Sequence, residues 1–372
     1  MVLALFSCSE SNTSQEVEQY LSSGTLQGGE PQESLLEKAQ QLEITIPDSI
    51  PSMLHSFQVF DSSIFCLSYK TPSCIYVIDN NKLTVRKYFK FENRGVNFRI
   101  SQYSIGVDEV AIVSESGVII SYNWNKEDYD IYRTLEPRQY PSDHGPVVPF
   151  IMAPPLFFIS DSGYVFNVYP LGYFDNYSAS ENKNSPHFAN YNKYTNTTTY
   201  FGKPMGIMSE LGSSLYSTDL SFPYLTRTDS TDFLSYPMSH LIYYGQNFDK
   251  KIVIAYPDTE VPRPLTFKDY SDPITRDKFR RTTPYYSKLN LHENLGKISR
   301  LFYQPNELIE VRGRFEMEYG GIDILTYDPK LKRLVGLDHI QIDENMLAFI
   351  PYGDDFVQIK SYPNEEGKIL LQ

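Results

Sequence analysis

Side chains able to do chemistry are scattered thinly along this chain. Acids cluster at Asp108-Glu109, at Asp128 and Asp130, and at Asp354-Asp355, with Asp161 alone in a Ser-Asp-Ser-Gly run. Two carboxyls facing each other across a glycosidic bond could hydrolyse it. These acids instead stand among turn-forming residues and read as solvated turn positions. The histidines, at 55, 144, 187, 240, 292 and 339, form no H-x-H or H-E-x-x-H pattern, so no metal is expected. A G-x-S-x-G elbow is missing, as is a Gly-rich phosphate loop, so neither a catalytic constellation nor a cofactor is predicted. Cys8, Cys66 and Cys74 are too few and too scattered for a zinc site. Cys66 and Cys74 flank Lys70-Thr71-Pro72 symmetrically. A hairpin turning about Lys70 would set them opposite one another, within reach of a disulfide; the rival reading is two reduced core thiols. Aromatics at Tyr140, Tyr169, Tyr173, Tyr191, Tyr194 and Tyr200 offer apolar area with a polar tip. Arg138, Tyr140 and His144, in a loop before a strand, are the candidates to face a ligand.

The elements that must carry these residues repeat. Ala111 to Ile120 reads as an apolar run, a Ser-Glu-Ser-Gly turn and a second apolar run; Phe157 to Phe166 repeats it 46 residues later. That is a β-hairpin, with Gly117 and Gly163 placed to take positive φ, and a period near 46 falls in the range of propeller blades. Period-two apolar patterning runs almost unbroken from Leu42. Four strands are predicted between Phe57 and Phe89, four more between Asn97 and Leu135, and a third set between Val147 and Tyr169. The Asn- and Tyr-rich stretch from Gly172 to Tyr200 reads as a long excursion between strands, and a short helix is expected near Asp277. The composition agrees, with 30 Tyr, 23 Phe and 24 Pro in 372 residues. The predicted fold is all-β: a propeller of about six four-stranded blades, or seven if the middle holds another. The early strand Leu42 to Ile46 would pair with the C-terminal blade and close the ring, removing open edges.

Before the propeller, Leu5-Phe6-Ser7-Cys8 resembles the lipobox of bacterial lipoproteins, which would make Cys8 the lipid-bearing residue. Residues 9–41 are rich in Ser, Glu, Gln and Gly and read as a tether, with a short helix from Pro31. The organisation is thus 1–8 signal remnant, 9–41 tether and 42–372 one propeller domain. With 33 Lys and Arg against 46 Asp and Glu, a net charge of −13 argues against a nucleic-acid partner.

The lipobox-like start, the tether, the length, and the C-terminal stretches IDILTYDPKLKRLVG (322–336) and FIPYGDDFVQIKSYPNEEGKILL (349–371) resemble the Bacteroidetes lipoproteins grouped as domain of unknown function 4221. The resemblance implies a propeller-like protein of the cell envelope, on the outer membrane, and brings no catalytic residues with it. The expected function is a lipid-anchored module binding a protein, peptide or glycan. A carbohydrate-active enzyme on the same scaffold, a glycosidase or lyase, is the alternative.

Overall fold

The computed structural model describes residues 42–45, 54–60, 63–68, 74–79, 84–90, 100–114, 116–133, 147–149, 157–170, 186–206, 209, 214–215, 220, 223–228, 231–245, 247–256, 263–311, 314–318, 320–342, 346–352, 355–361 and 368–371. Cys8, Arg138, Tyr140, His144 and the segment 9–41 lie outside them.

The first strand, β1 (Leu42–Thr45), precedes a four-stranded antiparallel blade of β2 (Leu54–Phe60), β3 (Ser63–Ser68), β4 (Cys74–Asp79) and β5 (Thr84–Lys90). The second blade is β6 (Ile100–Ile105), β7 (Glu109–Ser114), β8 (Val118–Asn123) and β9 (Asp128–Arg133). A short β10 (Val147–Pro149) pairs with the end of the third blade, which is β11 (Phe158–Ser160), β12 (Gly163–Pro170), β13 (Phe188–Asn192) and β14 (Thr197–Phe201). The excursion expected up to Tyr200 therefore contains two strands, and they complete this blade. Asn and Thr kept those strands from reading as such, because β14 faces solvent and needs few apolar residues.

After β15 (Ser214–Leu215) comes the fourth blade: β16 (Tyr224–Arg227), β17 (Asp232–Ser235), β18 (Leu241–Tyr244) and β19 (Lys250–Val253). Then β20 (Leu265–Thr266) pairs with β15 and leads into α1 (Phe267–Ser271) and α2 (Pro273–Thr282). Here is the helix expected near Asp277. Asp272 caps α2 by accepting from the N–H groups of Ile274 and Thr275, and Pro273 opens it. The fifth blade is β21 (Tyr285–His292), β22 (Lys297–Tyr303), β25 (Gly321–Asp328) and β26 (Arg333–Gln341), with the hairpin of β23 (Glu307–Val311) and β24 (Arg314–Glu318) inserted between its second and third strands. Finally β27 (Met346–Tyr352), β28 (Asp355–Ser361) and β29 (Lys368–Leu371) form an antiparallel run, and β1 pairs with β29 from Leu42 opposite Leu371 to Thr45 opposite Lys368. A single parallel bridge, Thr45 to Thr84, links β1 to β5. Among the described residues the fold is an all-β propeller with five four-stranded blades, four of them made of consecutive strands.

In the second blade burial falls off at the last strand. Strand β6 is buried along all but its last residue, whereas β9 is exposed at every second position or more. Both faces of a middle strand are covered, so its residues sort alternately to two neighbours. Ile112 packs towards the first blade with Phe65 and Val77; Ala111 and Val113 pack towards the third with Tyr164 and Phe166. The core is therefore a series of layers between blades, and each fully buried large side chain in it contributes about 2 kcal/mol.

The duplicated Ser-acid-Ser-Gly turns close differently. Val113 stands opposite Ile119, which leaves a longer loop with Gly117 at φ 75 as its left-handed residue. Ser160 stands opposite Gly163 across the two residues Asp161 and Ser162. Gly163 needs its small size instead, since a Cβ there would lie 1.8 Å from the Tyr191 carbonyl oxygen.

A second turn recurs at the outer hairpins. Asn123, Asn192 and Asp328 each accept two N–H bonds from the following loop through a side-chain oxygen. Each loop then ends on a left-handed residue: Glu127, Asn196 and Lys332, with φ of 53, 52 and 54.

Candidate functional site

First and second strands carry polar contacts between blades. Bulges break β2 before Gln58 and β6 before Gln102, and so re-aim those side chains sideways. The Gln58 amide donates to the Tyr103 carbonyl at 2.7 Å. Gln102 donates to the Asn167 carbonyl and accepts the Asn167 N–H, and the Asn167 amide donates onward to the Pro223 carbonyl. Thr226 donates to the Leu289 carbonyl. These residues, Gln102 and Asn167 buried and Gln58 and Thr226 partly so, are stitches between blades.

One acid has similar employment, whereas Asp108, Asp128, Asp130 and Asp161 are exposed. The Glu109 carboxylate accepts hydroxyl bonds from Ser121 and, at 3.1 Å, from Tyr164 of the next blade. The reading of Glu109 as a solvated turn residue is thereby corrected: it lies between two blades, with one carboxylate oxygen accepting both bonds. Of the aromatics, Tyr191 is buried beside Tyr164, Tyr200 packs against the same layer, and Tyr194 projects from its turn, 76 % exposed.

Among the described residues His187, His240 and His292 are core residues. Burial holds His187 down to about 3, and burial with the Arg300 charge nearby holds His240 down to about 4. His292 shares a 2.7 Å hydrogen bond with Ser299. His339 is half-exposed, and its Nδ1 lies 2.8 Å from Asp323 Oδ1, while Gln304 donates to the other oxygen of that carboxylate. Among the described residues no three metal-ligating side chains come together.

Cys66 is opposite Tyr76, not Cys74. The register sum is 142 where a turn about Lys70 required 140, so the cysteines are diagonal neighbours, and the Cys66 thiol is free and fully buried. The expected bridge is corrected on that ground: diagonal Cβ atoms are too far apart for an S–S bond.

A cleft that no sequence motif announced opens between the fourth and fifth blades. It has a volume of about 420 Å³, within the range of ligand sites. Phe233, Ile252 and Val253 from the fourth blade and Ile298, Tyr327 and Leu334 from the fifth give it an apolar lining. Phe233 stacks on Tyr244 with centroids 5.8 Å apart. Burial raises the Tyr327 hydroxyl, and the nearby Tyr244 and Asp328 add to that. The recurrent outer turn forms one wall through Pro329 and Lys332, followed by Arg333. Lys251 is the third cation of the lining, and the Lys250 ammonium stands 5.8 Å over the Tyr244 ring. Asp328, the acid nearest this wall, is held by the N–H groups of Lys330 and Leu331 at 2.8 and 3.0 Å. The arrangement can grip an apolar or aromatic body and pair with negative charge beside it. Sequence reasoning missed it because its parts are about a hundred residues apart; the signal available was the Lys-Leu-Lys-Arg run after a turn in an acidic chain.

Among solved structures, a member of the domain of unknown function 4221 family from Bacteroides vulgatus has this fold, with a TM-score of 0.62 and 10% sequence identity over 90% of this chain and 96% of that one. A Bacteroides fragilis protein inferred to be exported aligns with a TM-score of 0.53 and 12% identity over 90% of this chain and 94% of that one. No family profile and no curated protein matches the chain. The resemblance to the domain of unknown function 4221 family, carried in the sequence by its C-terminal stretches, is met in three dimensions as a likeness of fold.

Proposed function

We propose that this chain is a binding propeller of the bacterial cell envelope, tethered by a lipid on Cys8, whose cleft between the fourth and fifth blades receives a protein, peptide or glycan partner. The observation that carries this reading is the cleft itself, an apolar and aromatic cavity bordered by cations. An exported relative in fold supports a location outside the cytoplasm. Among the described residues no helix is long and apolar enough to cross a membrane, so the lipid would supply the attachment. Pairing of β1 with β29, and the contact of β27 with β2, support a sixth blade made of β27, β28, β29 and β1, closing the ring.

The test is a thermal-shift screen of peptides and oligosaccharides against wild type and Ile252→Trp, which fills the cleft. A ligand that raises the Tm of wild type and leaves Ile252→Trp unchanged supports the reading. Equal shifts in both proteins place binding elsewhere and overturn it. Product release from an oligosaccharide would move the assignment to the carbohydrate-active alternative.

A further inference from the structure

We infer that one end of the propeller lies against a lipid surface, into which Val107, Tyr194, Leu295 and Leu331 insert. The inference extends the reading of a lipid-tethered propeller and rests on it for the presence of a membrane.

Among the described residues six large apolar side chains are exposed: those four, with Ile131 on β9 and Ile274 on α2. A single exposed apolar residue needs no explanation. These four share a position. Val107 lies in the turn from β6 to β7 and Tyr194 in the turn from β13 to β14. Leu295 lies between β21 and β22, and Leu331 between β25 and β26. Strands alternate in direction through an antiparallel blade, so its first and third turns lie at one end and its second turn at the other. All four residues occupy first or third turns. Contacts between blades show the ends coinciding: Glu109, just past Val107, accepts from the Tyr164 hydroxyl, just past the first turn of the third blade. In that blade the Lys193 N–H donates to the Ser162 carbonyl, joining its first and third turns. Successive blades are related by rotation about one axis, which brings the turns of the fifth blade to the same end.

The path of the chain points to the partner. His292, at the foot of the Leu295 turn, meets Phe356, at the start of β28, with ring centroids 5.6 Å apart. Strand β28 therefore runs away from this end, β29 runs back towards it, and β1, antiparallel to β29, runs away again. The chain thus enters β1 at Leu42 from the end that bears the four apolar tips. A lipid on Cys8 would hold that end nearer the membrane than the opposite one.

The tips suit a fluid surface. Each is one apolar side chain among polar turn residues, and the four are spread over three blades. A protein partner would need a separate pocket for each, whereas lipid closes around them singly. Main-chain bonds already fix three tips: Asn192 accepts the Tyr194 N–H at 2.9 Å, Asp328 that of Leu331 at 3.0 Å, and the His292 carbonyl that of Leu295 at 3.1 Å. Insertion therefore orders little that is not ordered beforehand. The Lys193 ammonium lies 5.8 Å from the centre of the Tyr194 ring, a pairing of aromatic and cation suited to headgroup depth. Charges near the tips are mixed, with Lys126, Lys330 and Lys332 against Glu127, Glu293 and Asp328. Mixed charge fits a zwitterionic headgroup better than a strongly anionic leaflet, which favours a basic patch. The cleft takes Pro329, Lys332 and Arg333 from the last of these turns, and Leu331 does not line it.

The chain's one tryptophan, Trp124, stands beside these tips and donates its indole N–H to the Val107 carbonyl at 2.9 Å. The experiment mixes the full chain carrying Cys8→Ser, which cannot be lipidated, with phosphatidylcholine vesicles whose acyl chains are plain or brominated. The protein should sediment with the vesicles, and brominated lipid should quench Trp124. Leu295→Asp combined with Leu331→Asp should keep the Tm and lower the partition coefficient about tenfold or more. Ile274→Asp, 79 % exposed on α2, should leave it unchanged. Absence of vesicle binding, binding without quenching, or as large a loss in Ile274→Asp would each overturn the inference. A dimer in lipid-free solution that the Leu295, Leu331 double variant abolishes would make this end an interface between copies and overturn it too. Should the Cys8→Ser chain bind vesicles while native Cys8 proves by mass to carry no lipid, the docking face stands and the tether falls. Should it ignore vesicles while Cys8→Ser releases the protein from cell membranes, the tether stands and the docking face falls.

Discussion

The Arg300 guanidinium lies 4.1 Å from the centre of the Tyr286 ring. Arg300 is fully buried, and among the described residues its hydrogen bonds all go to main-chain carbonyls: Tyr236 and Ser239 at 2.8 Å, Ile254 and Ser287 at 3.4 Å. Burial lowers its pKa to about 10, which still leaves it charged at neutral pH. The ring of Tyr286 and the carbonyl dipoles stand in for a carboxylate, and they tie the fourth blade to the fifth behind the cleft.

Arg300→Met should destabilise the fold by about 3 kcal/mol or more, since carbonyls in a dry layer lose their donors. Arg300→Lys should recover little, because one ammonium cannot reproduce the planar fork. Urea midpoints of the three proteins check this; a neutral Arg300→Met would mean that solvent reaches the carbonyls.

The two turn glycines should differ. Gly117→Ala puts a Cβ on a left-handed backbone and should cost about 1 kcal/mol. Gly163→Ala drives a methyl into the Tyr191 carbonyl of the adjacent strand, so the cost should be about 2–3 kcal/mol. Thermal denaturation of both variants should rank them in that order.

Acid should weaken the protein through His187 and His240. Their folded values, about 3 and about 4, lie below the ordinary 6.5, so the unfolded chain takes up protons first. Their contribution is complete above pH 6.5 and is lost as pH falls from there towards the folded values, about 4 for His240 and about 3 for His187. Tyr286 and Arg300 face His240, and the Arg300 charge adds to the penalty on protonating it. Urea midpoints should fall over that window, and the fall should shrink in His187→Gln, which cannot protonate.

Cys66 should resist alkylation in the native state. Its thiol is fully buried, and burial pushes its pKa up, so little thiolate forms at neutral pH. Iodoacetamide should label it only after denaturant is added; prompt labelling of the native protein would place it at the surface.

The parts of this fold legible in the sequence were the local ones. The Ser-acid-Ser-Gly repeats and the Asp328-Pro329-Lys330 turn announce hairpins because a turn's chemistry is written in a few adjacent residues. Strands β13 and β14 were hidden because Asn190, Asn192 and Thr197 to Thr199 look like loop residues, although the strand residues Phe188 and Tyr191 are buried. The disulfide expectation failed on a register displacement that hairpin arithmetic cannot see. Nothing in the sequence places Phe233 against Leu334, or Arg300 under the carbonyls of Tyr236 and Ser239. Those neighbours arise from the stacking of whole blades.

The stitches between blades carry a last consequence, for how such a chain can change over generations. Gln58, Gln102, Asn167, Thr226 and Arg300 all donate to carbonyls of the main chain. A carbonyl is present whatever side chain its residue bears, so the acceptor positions can be substituted without unpicking the ring. Each stitch asks for one residue instead of a matched pair. An architecture joined in this way can drift to 10% identity with a structural relative and keep its shape, while the blade edges and outer turns stay open to new recognition chemistry.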